Sequence, residues 1–167
     1  MKTEMLVAAL ILCTLPGVRG TANSDSKKAD RVVVVKSSRT LRLLKDGQVL
    51  KEYKVALGTQ PVGAKTRFGD HRTPEGTYVL DRRNAQSRFY RSIHISYPNA
   101  DDRARARKLG TSPGGDIFLH GLMNGYGWLG QSHRLKDWTD GCIAVTNDEM
   151  DEIWTLVPDG TIIEIKP

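Results

Sequence analysis

Short strand-like segments separated by turn residues fill the chain from Arg31 onward, and this pattern most limits the folds it can adopt. RVVVV, which begins at Arg31, is a continuous apolar strand. TLRLLKDGQVLKEYKVALG, which begins at Thr40, contains two strands that meet at Asp46-Gly47, a dipeptide suited to a tight hairpin turn. GTYVLDR, SIHISY, GGDIFLHG and PDGTIIEI predict four further strands. The sequence therefore predicts a mostly β domain.

Two segments have helical patterns instead. The first, NADDRARARKLG, starts at Asn99 with a capping residue, has acidic residues at its start and basic residues at its end, and carries almost no apolar stripe. It predicts a short surface helix. The second starts with a capping box formed by Thr146 and Glu149. Its apolar face consists of Met150, Ile153, Trp154 and Val157. It predicts one packed C-terminal helix.

The first twenty residues, MKTEMLVAALILCTLPGVRG, have the pattern of a secretory signal. Lys2 precedes an apolar run from Met5 to Leu15, and small residues precede a cleavage point after Gly20. The run is too short to span a bilayer, so we expect cleavage and export, with an uncleaved membrane anchor as the alternative. Residues 21–30, TANSDSKKAD, predict a flexible tether. Residues 31–167 remain as a single domain.

The charge of the chain favours an anionic partner. The full sequence has a formal net charge of +6, and loss of Lys2, Glu4 and Arg19 with the signal leaves +5. A basic exported protein suits an anionic polymer such as a bacterial cell wall. Nucleic acid is not an expected partner, because the sequence has neither a basic stripe interleaved with aromatic residues nor a recognition motif.

Cys142 is the only cysteine left once Cys13 departs with the predicted signal. In an oxidising compartment such a thiol is buried and inert, paired with another molecule, or a reactive nucleophile. A nucleophilic thiol needs a base, usually a histidine. His120 ends the strand DIFLH and points out of the core by alternation, and His133 in a loop-like segment is the alternative base. His71 is expected to be a surface residue.

Neither a metal nor a cofactor is expected. The sequence contains no Cys-x-x-Cys pair, no His-x-x-x-His pair and no phosphate-binding glycine loop. Gly141, directly before the cysteine, would let a substrate approach the backbone and let two successive N–H groups face an oxyanion. GLMNGYGWLG, with Tyr126 and Trp128, is glycine-rich and predicts a mobile flap beside a pocket.

Several ordered motifs resemble the L,D-transpeptidase (YkuD) catalytic domain of bacterial cell-wall enzymes. They are HG at His120-Gly121, TDGCI at residues 139–143, and GDHRTPEGTYVL at residues 69–80, where the family has a Thr-Pro-x-Gly strand entry. ISYPNADDRARARKLGTSPGGDIFLHG is also similar to secreted Gram-negative members. The resemblance covers residues 31–167. It implies a β-sandwich-like fold with the site between sheet and flap.

The resemblance also implies a mechanism and a location. Cys142 would be the nucleophile, His120 the base and the Gly121 carbonyl the group that orients the imidazole, while the N–H groups of Gly141 and Cys142 would form the oxyanion hole. Cys142 would attack the carbonyl of the third residue of a peptidoglycan tetrapeptide stem and release D-alanine. An amine of another stem, a lysine of a wall-linked lipoprotein, a free amino acid or water would resolve the thioester. The protein would act in the periplasm, and carbapenems would acylate Cys142.

The sequence departs from the family at two positions. Asp140 stands where some relatives have His or Lys, and it would oppose thiol ionisation unless it faces away. Ala144 stands where relatives have Arg or Asn, so the contact with a substrate carboxylate must come from elsewhere. Our candidates for substrate contacts are Thr139, Tyr126, Trp128, Arg134, His94 and Arg72, together with Arg82 and Arg83.

Two alternative functions remain open. A hydrolase of the same fold, an L,D-carboxypeptidase or an amidase, would cut the stem or its lipoprotein attachment by using water as the acceptor. A non-catalytic wall-binding module would carry Cys142 as an inert buried thiol.

Overall fold

One eight-stranded sheet forms most of the computed structural model, which describes residues 28–167. The strands are β1 (Arg31–Val35), β2 (Thr40–Lys45), β3 (Gln48–Lys54), β4 (Gly76–Ser87), β5 (Tyr90–Ile95), β6 (Ile117–His120), β7 (Ile143–Ala144) and β8 (Thr161–Lys166). Their order in the sheet is β3-β2-β1-β8-β4-β5-β6-β7. The prediction of a mostly β fold is confirmed. The predicted signal and residues 21–27 of the predicted tether lie outside the described residues.

Two of the strand pairs are parallel, and both matter to the architecture. β1 pairs with β8 at the middle of the sheet, so Val32 lies opposite Ile163 although 131 positions separate them. β6 pairs with β7, which sets Leu119 opposite Ile143. The other neighbouring strands are antiparallel.

The sheet curls until its two edges meet. After β3 the chain crosses to β7, where the N–H groups of Ala56 and Ala144 each donate to the other's carbonyl oxygen, at 3.0 and 2.9 Å. Thr59 N–H donates to the Thr139 carbonyl at 3.0 Å, and Thr139 N–H to the Leu57 carbonyl at 3.1 Å. Residues 56–59 therefore protect the β7 edge from pairing with another chain. They also tie this edge to the end of β3.

The predicted C-terminal helix is confirmed as α2 (Asn147–Leu156). Its capping box is complete: the Thr146 hydroxyl accepts from the Glu149 N–H, and the Glu149 carboxylate accepts from the Thr146 N–H. Met150 and Ile153 are fully buried in the core that the inner face of the sheet supplies. This amphipathic face, rather than helix propensity, holds α2 in place.

The predicted short helix is also confirmed, as α1 (Ala100–Lys108). Asn99 caps it, as expected, and Asp102 completes a capping box. The helix attaches to the sheet mainly through polar contacts, because the buried Asp102 carboxylate accepts from the Tyr78 hydroxyl at 3.2 Å and from Arg105. Within residues 28–167, no helix has the length and apolar character needed to cross a membrane.

Two local predictions were wrong. Gly141-Cys142 was expected to end a strand, but β7 begins after the cysteine at Ile143 and contains only two residues. The segment Gly127–Leu135, expected to be flap and loop, forms 3₁₀ turns broken at Gly130, where φ is 46°. Neither element has a period that a sequence pattern can reveal, since both depend on contacts with distant segments.

The last residues of the predicted tether join the domain. Ala29 is buried, and its N–H donates to the Leu156 carbonyl at 2.8 Å. Asp30 N–H donates to the Leu44 carbonyl at 2.9 Å. These bonds extend the folded domain two residues before β1.

A buried lysine fastens the loop of residues 59–75 to the sheet. The Lys36 side chain is 2% exposed, and its Nζ donates to the Gly63 carbonyl at 2.6 Å, the Thr73 carbonyl at 3.0 Å and the Glu75 carboxylate at 2.8 Å. All three N–H donors of the ammonium group are thus used. The loop matters because it packs against the segment that carries Cys142.

We expect Lys36→Met to lower the free energy of unfolding by about 3 kcal/mol, because it leaves a carboxylate and two carbonyl groups without their donor. Urea denaturation measures the change. The matched control is Lys54→Met, at an exposed position, for which we expect a change within about 0.5 kcal/mol. Equal effects of the two substitutions would contradict the anchoring role of Lys36.

Candidate active site

The parallel pairing of β6 with β7 places the thiol and an imidazole on one face of the sheet. His120 lies opposite Ala144, so Cys142, two residues earlier, is level with Phe118. Side chains alternate along strands, and Leu119 and Ile143 are the ones buried in the core. Phe118, His120 and Cys142 therefore share the opposite face.

Cys142 and His120 line one cavity of about 600 Å³. The other lining residues are Asn84, Ser87, Arg88, Phe89, Ser92, Phe118, Met123, Trp138, Thr139 and Asp140. They come from the β4–β5 hairpin, from β6, from the segment after β6 and from the turn before β7. Among the candidates for substrate contacts, only Thr139 is in this set.

The hydrogen bonding of His120 fixes which of its nitrogens can act as a base. Nδ1 lies 2.6 Å from the carbonyl oxygen of Gly121, which can only accept, so Nδ1 carries the proton and Nε2 has a free lone pair. The ring is 3% exposed and packs against both Phe89 and Trp138, at centroid distances of 4.6 and 5.8 Å. This aromatic enclosure excludes water from the imidazole.

Burial shifts both groups toward their neutral forms. Burial lowers the pKa of His120 to about 4, against the opposing effect of its bond to Gly121. Burial also raises the pKa of the Cys142 thiol, as does the charge of Asp140, while a backbone hydrogen bond with Phe118 and the charge of Lys65 oppose the rise. At neutral pH the site therefore holds a thiol and a neutral imidazole. A sulfur that acts as a nucleophile from this state has to lose its proton as it attacks.

Thr139 shapes the turn that carries the thiol. Its hydroxyl donates to the Cys142 carbonyl at 2.7 Å and accepts from the Gly141 N–H at 3.1 Å. The Gly141 N–H, expected in the oxyanion hole, is thus already bonded and would have to exchange Thr139 for an oxyanion. Gly141 has φ of 126°, and a Cβ there would lie 2.6 Å from the Arg72 carbonyl oxygen. Only glycine fits this position.

Asp140 lies at the rim of the cavity, with its carboxylate mostly in solvent. Its side chain is 91% exposed, and its carboxylate accepts from Nδ1 of His71 at 2.9 Å. His71 is a half-exposed surface residue, as expected, but its ring holds Asp140 at the rim. The carboxylate nevertheless contributes to the raised pKa of the thiol.

His133, the alternative base, lies outside the Cys142 cavity. It is buried, and its Nδ1 accepts from the indole N–H of Trp138 at 3.3 Å. Burial, with the charge of Arg134, lowers its pKa to about 4. His133 lines an apolar groove of about 510 Å³, which shares Met123 and Trp138 with the Cys142 cavity. The imidazole that faces the thiol's cavity is therefore His120.

The aromatic candidates from the expected flap do not line the Cys142 cavity. Tyr126 lines the apolar groove instead, and Trp128 is 78% exposed. The segment is tied to its neighbours: Leu122 N–H donates to the Asn147 side chain at 2.9 Å. Asn124 of the same segment bonds to the β4–β5 turn.

The remaining candidates are engaged elsewhere in the described structure. His94 contacts the Asp81 carboxylate at 2.6 Å, and Arg134 is paired with Glu149. Arg72 lines a separate polar cleft. Arg82 pairs with Asp116, and Arg83 bonds the Trp154 carbonyl. Each is therefore held away from the cavity by its own partner or by its position.

Arg88 is a cavity residue that the sequence analysis missed. It lies in the β4–β5 turn, and its guanidinium forms no ion pair or hydrogen bond with any residue of 28–167. Asn124 fixes this turn with three bonds, to the Arg88 carbonyl at 2.9 Å, from the Tyr90 N–H at 3.0 Å and to the Ser87 carbonyl at 3.1 Å. No local sequence pattern indicates that Arg88 lines the cavity, because the Asn124 bonds that fix its turn join residues far apart in sequence.

We expect acid to destabilise the fold partly through His120 and His133. Each takes up a proton near pH 6.5 when unfolded but only near pH 4 when folded, so the unfolded state binds more protons in between. The free energy of unfolding should fall, as the pH drops from about 6.5 to about 4, by about 1.4 kcal/mol per pH unit for each histidine.

The difference between variants isolates this contribution from that of the carboxylates. His133→Gln keeps an acceptor for Trp138 and should reduce the slope by about 1.4 kcal/mol per pH unit, measured by urea denaturation at several pH values. Ser132→Ala, the neighbouring control, should keep the wild-type slope. An unchanged slope in His133→Gln would show that this imidazole takes up its proton at the same pH in both states.

Comparison with known proteins gives a consistent family. The model of the L,D-transpeptidase catalytic domain (YkuD) matches residues 29–165. YafK of Escherichia coli (strain K12) is 33% identical in an alignment of 175 residues that covers 93% of this chain and 63% of YafK. YqjB of Bacillus subtilis (strain 168) is 30% identical over 135 residues, which cover 80% of this chain and 69% of YqjB.

A solved structure agrees with the fold. The helical cell shape determining protein Pgp2 from Campylobacter jejuni superimposes with a TM-score of 0.61 at 26% sequence identity, over 82% of this chain and 48% of that one. The chain thus spans 63% of YafK and about half of the Pgp2 chain.

Proposed function

The chain belongs to the family of L,D-transpeptidase catalytic domains, and we propose that it is an exported cysteine acyltransferase that acts on peptidoglycan tetrapeptide stems. The observation that carries the proposal is the His120 imidazole. Its Nδ1 is bonded to Gly121, and it lines the same cavity as the Cys142 thiol. A nucleophile, a base and a group that orients the base are the components of acyl transfer.

Acylation begins from the neutral pair. Cys142 Sγ attacks the carbonyl carbon of the third stem residue while its proton passes to Nε2 of His120. The carbonyl oxygen becomes an oxyanion that backbone N–H groups of the catalytic turn stabilise. When the intermediate collapses, the imidazolium gives its proton to the amine of the departing D-alanine. A thioester and a neutral imidazole remain.

The acceptor then resolves the thioester. His120 takes a proton from the attacking amine, the new amide forms, and the thiol regains a proton from the imidazolium. The amine would belong to another stem, to a lysine of a wall-linked lipoprotein or to a free amino acid. The low pKa of His120 keeps the imidazole neutral, with Nε2 free to accept a proton, throughout the neutral range.

Water as the acceptor is the second candidate, and it makes the protein a hydrolase. The observation that favours it is Ala144, which is fully buried and bonded through its backbone to Ala56. The position therefore offers no side chain to hold the carboxylate of an amino-acid acceptor. The products of turnover separate the two candidates.

The likeness to Pgp2 extends the proposal to biology. Pgp2 is named a helical cell shape determining protein, so we propose that this chain also remodels the wall in a way that affects cell shape. The predicted signal and the basic charge of the chain support action in the periplasm on an anionic polymer.

Incubation with disaccharide tetrapeptide, followed by mass spectrometry, tests the proposal. A cross-linked dimer lighter by one D-alanine per linkage would support the transferase, and tripeptide with free D-alanine would support the hydrolase. Cys142→Ala should form neither product while keeping its circular dichroism spectrum. A wild-type protein that forms neither product, and whose thiol a carbapenem does not acylate, would return us to the wall-binding module.

The choice of base has its own test. We expect His120→Ala to lower kcat by about 10²- to 10⁴-fold, the usual contribution of a general base. His133→Ala, which removes another buried imidazole that lies outside the cavity, should lower kcat far less. The reverse order in single-turnover kinetics would show that His133 is the base.

We further propose that Arg88 binds a carboxylate of the reacting stem in place of the missing cation at Ala144. Arg88→Gln should raise KM about 10-fold with little change in kcat, the signature of a contact made equally before and during reaction. Arg31→Gln, at an exposed position on β1 outside the cavity, should leave both constants unchanged. Equal KM values for the two variants would rule out the contact.

A further inference from the structure

We propose that a second site, here called the arginine cleft, binds carboxylates of the substrate outside the reacting cavity. The cleft has a volume of about 550 Å³. The lining residues that matter are Gln60, Arg67, Asp70, His71, Arg72 and Thr111. This inference rests on the proposed function for the identity of the ligand but not for the existence of the site.

The charge of the arginine cleft is uncompensated. Neither Arg67 nor Arg72 forms a side-chain ion pair or hydrogen bond with any residue in the part of the chain that the structure describes. Asp70 is the one carboxylate in the lining, and Lys65 Nζ neutralises it at 2.8 Å. Two arginines therefore line the same space without an acidic partner, an arrangement that favours binding of an anion.

The Asp70 carboxylate forms all of its hydrogen bonds with residues of its own loop. Its carboxylate also accepts from the N–H groups of Thr66, Arg67 and Arg72 at 2.7, 3.0 and 3.2 Å. Although burial opposes the shift, these bonds and Lys65 lower the pKa of Asp70 to about 2. The carboxylate holds the backbone that carries both arginines. It is not available to pair with their side chains.

The cleft is fixed against the catalytic turn. His71 adopts the left-handed conformation with φ of 54°, which costs free energy for a residue other than glycine. The Arg72 carbonyl oxygen packs so closely on Gly141 that a Cβ there would lie 2.6 Å from it. The strained loop is held in this form by its contacts with the turn. The position of the arginines is therefore coupled to that of Cys142.

A hydrogen bond between His71 and Asp140 joins the lining of the arginine cleft to the lining of the Cys142 cavity. His71 lines the cleft, Asp140 lines the cavity, and His71 Nδ1 donates to Asp140 at 2.9 Å. A ligand held by Arg67 and Arg72 thus lies beside the site where the thioester forms. A flexible polymer bearing several carboxylates can occupy both places at once.

The chemistry of the cleft selects carboxylates or the similar oxygens of phosphate. The guanidinium group presents paired N–H donors that match both anions. Carboxylates are the form in which a peptide stem carries its negative charge, and the cavity itself offers only Arg88 to bind them. We therefore assign the arginine cleft to carboxylates of the stem that extend beyond the reacting carbonyl.

Binding to the Cys142→Ala protein tests this assignment without turnover. Isothermal titration calorimetry at low ionic strength would compare disaccharide tetrapeptide with the same compound whose free carboxylates are amidated. Arg67→Gln with Arg72→Gln should weaken binding of the natural compound at least 10-fold. The matched control is Arg31→Gln with Arg103→Gln, which removes the same charge from exposed positions outside the cleft. We expect the control to change affinity less than 3-fold.

The outcomes separate this proposal from the proposed catalysis. Equal loss in both double variants, or no loss in either, would overturn the cleft as a specific site. Preference for inorganic phosphate over the stem compound, dependent on Arg67 and Arg72, would overturn the carboxylate assignment. Arginine-dependent binding by Cys142→Ala, alongside a wild-type protein that forms no product, would support the cleft and reject the acyltransferase. The single variant Arg67→Gln keeps the test valid if loss of Arg72 prevents folding.

Discussion

The backbone bonds between Ala56 and Ala144 are the constraint on which the site depends. β7 is only two residues long, and β6 alone would support it on one side. The segment after β3 supplies the other side, and its bonds to Thr139 continue the support up to the turn that carries the thiol. Because the turn is held from both sides, Gly141 can keep a conformation and a close packing that a free loop would not maintain. The geometry of the candidate site is a consequence of sheet closure.

Closure of the sheet also determines the protonation states of His120 and Cys142. His120 lies at the end of β6 against Phe89 and Trp138, where water cannot stabilise an imidazolium, and burial likewise disfavours ionisation of the Cys142 thiol in the same cavity. Both groups are neutral for one physical reason, the cost of desolvating a charge. A preformed thiolate–imidazolium pair would place two charges in this buried site, at the cost of desolvating both. The backbone carbonyl of Gly121 orients the ring without supplying a full charge.

Local sequence patterns predicted the elements that local forces determine. The capping box at Thr146, the apolar face of α2 and the Asp46-Gly47 hairpin turn depend on residues close in sequence, and the structure contains all three. His120 was placed facing out of the core by simple alternation. Arg88 and the arginine cleft were missed because Asn124, Asp70 and Lys65 position them through contacts that no periodicity encodes. The 3₁₀ segment and the two-residue β7 were not predicted from the sequence for the same reason.

The parallel pairing of β1 with β8 determines at what stage of folding the site can form. These strands lie at the middle of the sheet and join residues 31–35 to residues 162–166. Neither half of the sheet can dock on the other until the last strand has been synthesised, so a growing chain cannot close its core. Long-range pairing of this kind makes folding a late and comparatively slow event. The cavity around Cys142 therefore forms only after β8 is available to pair with β1, late in the folding of the domain.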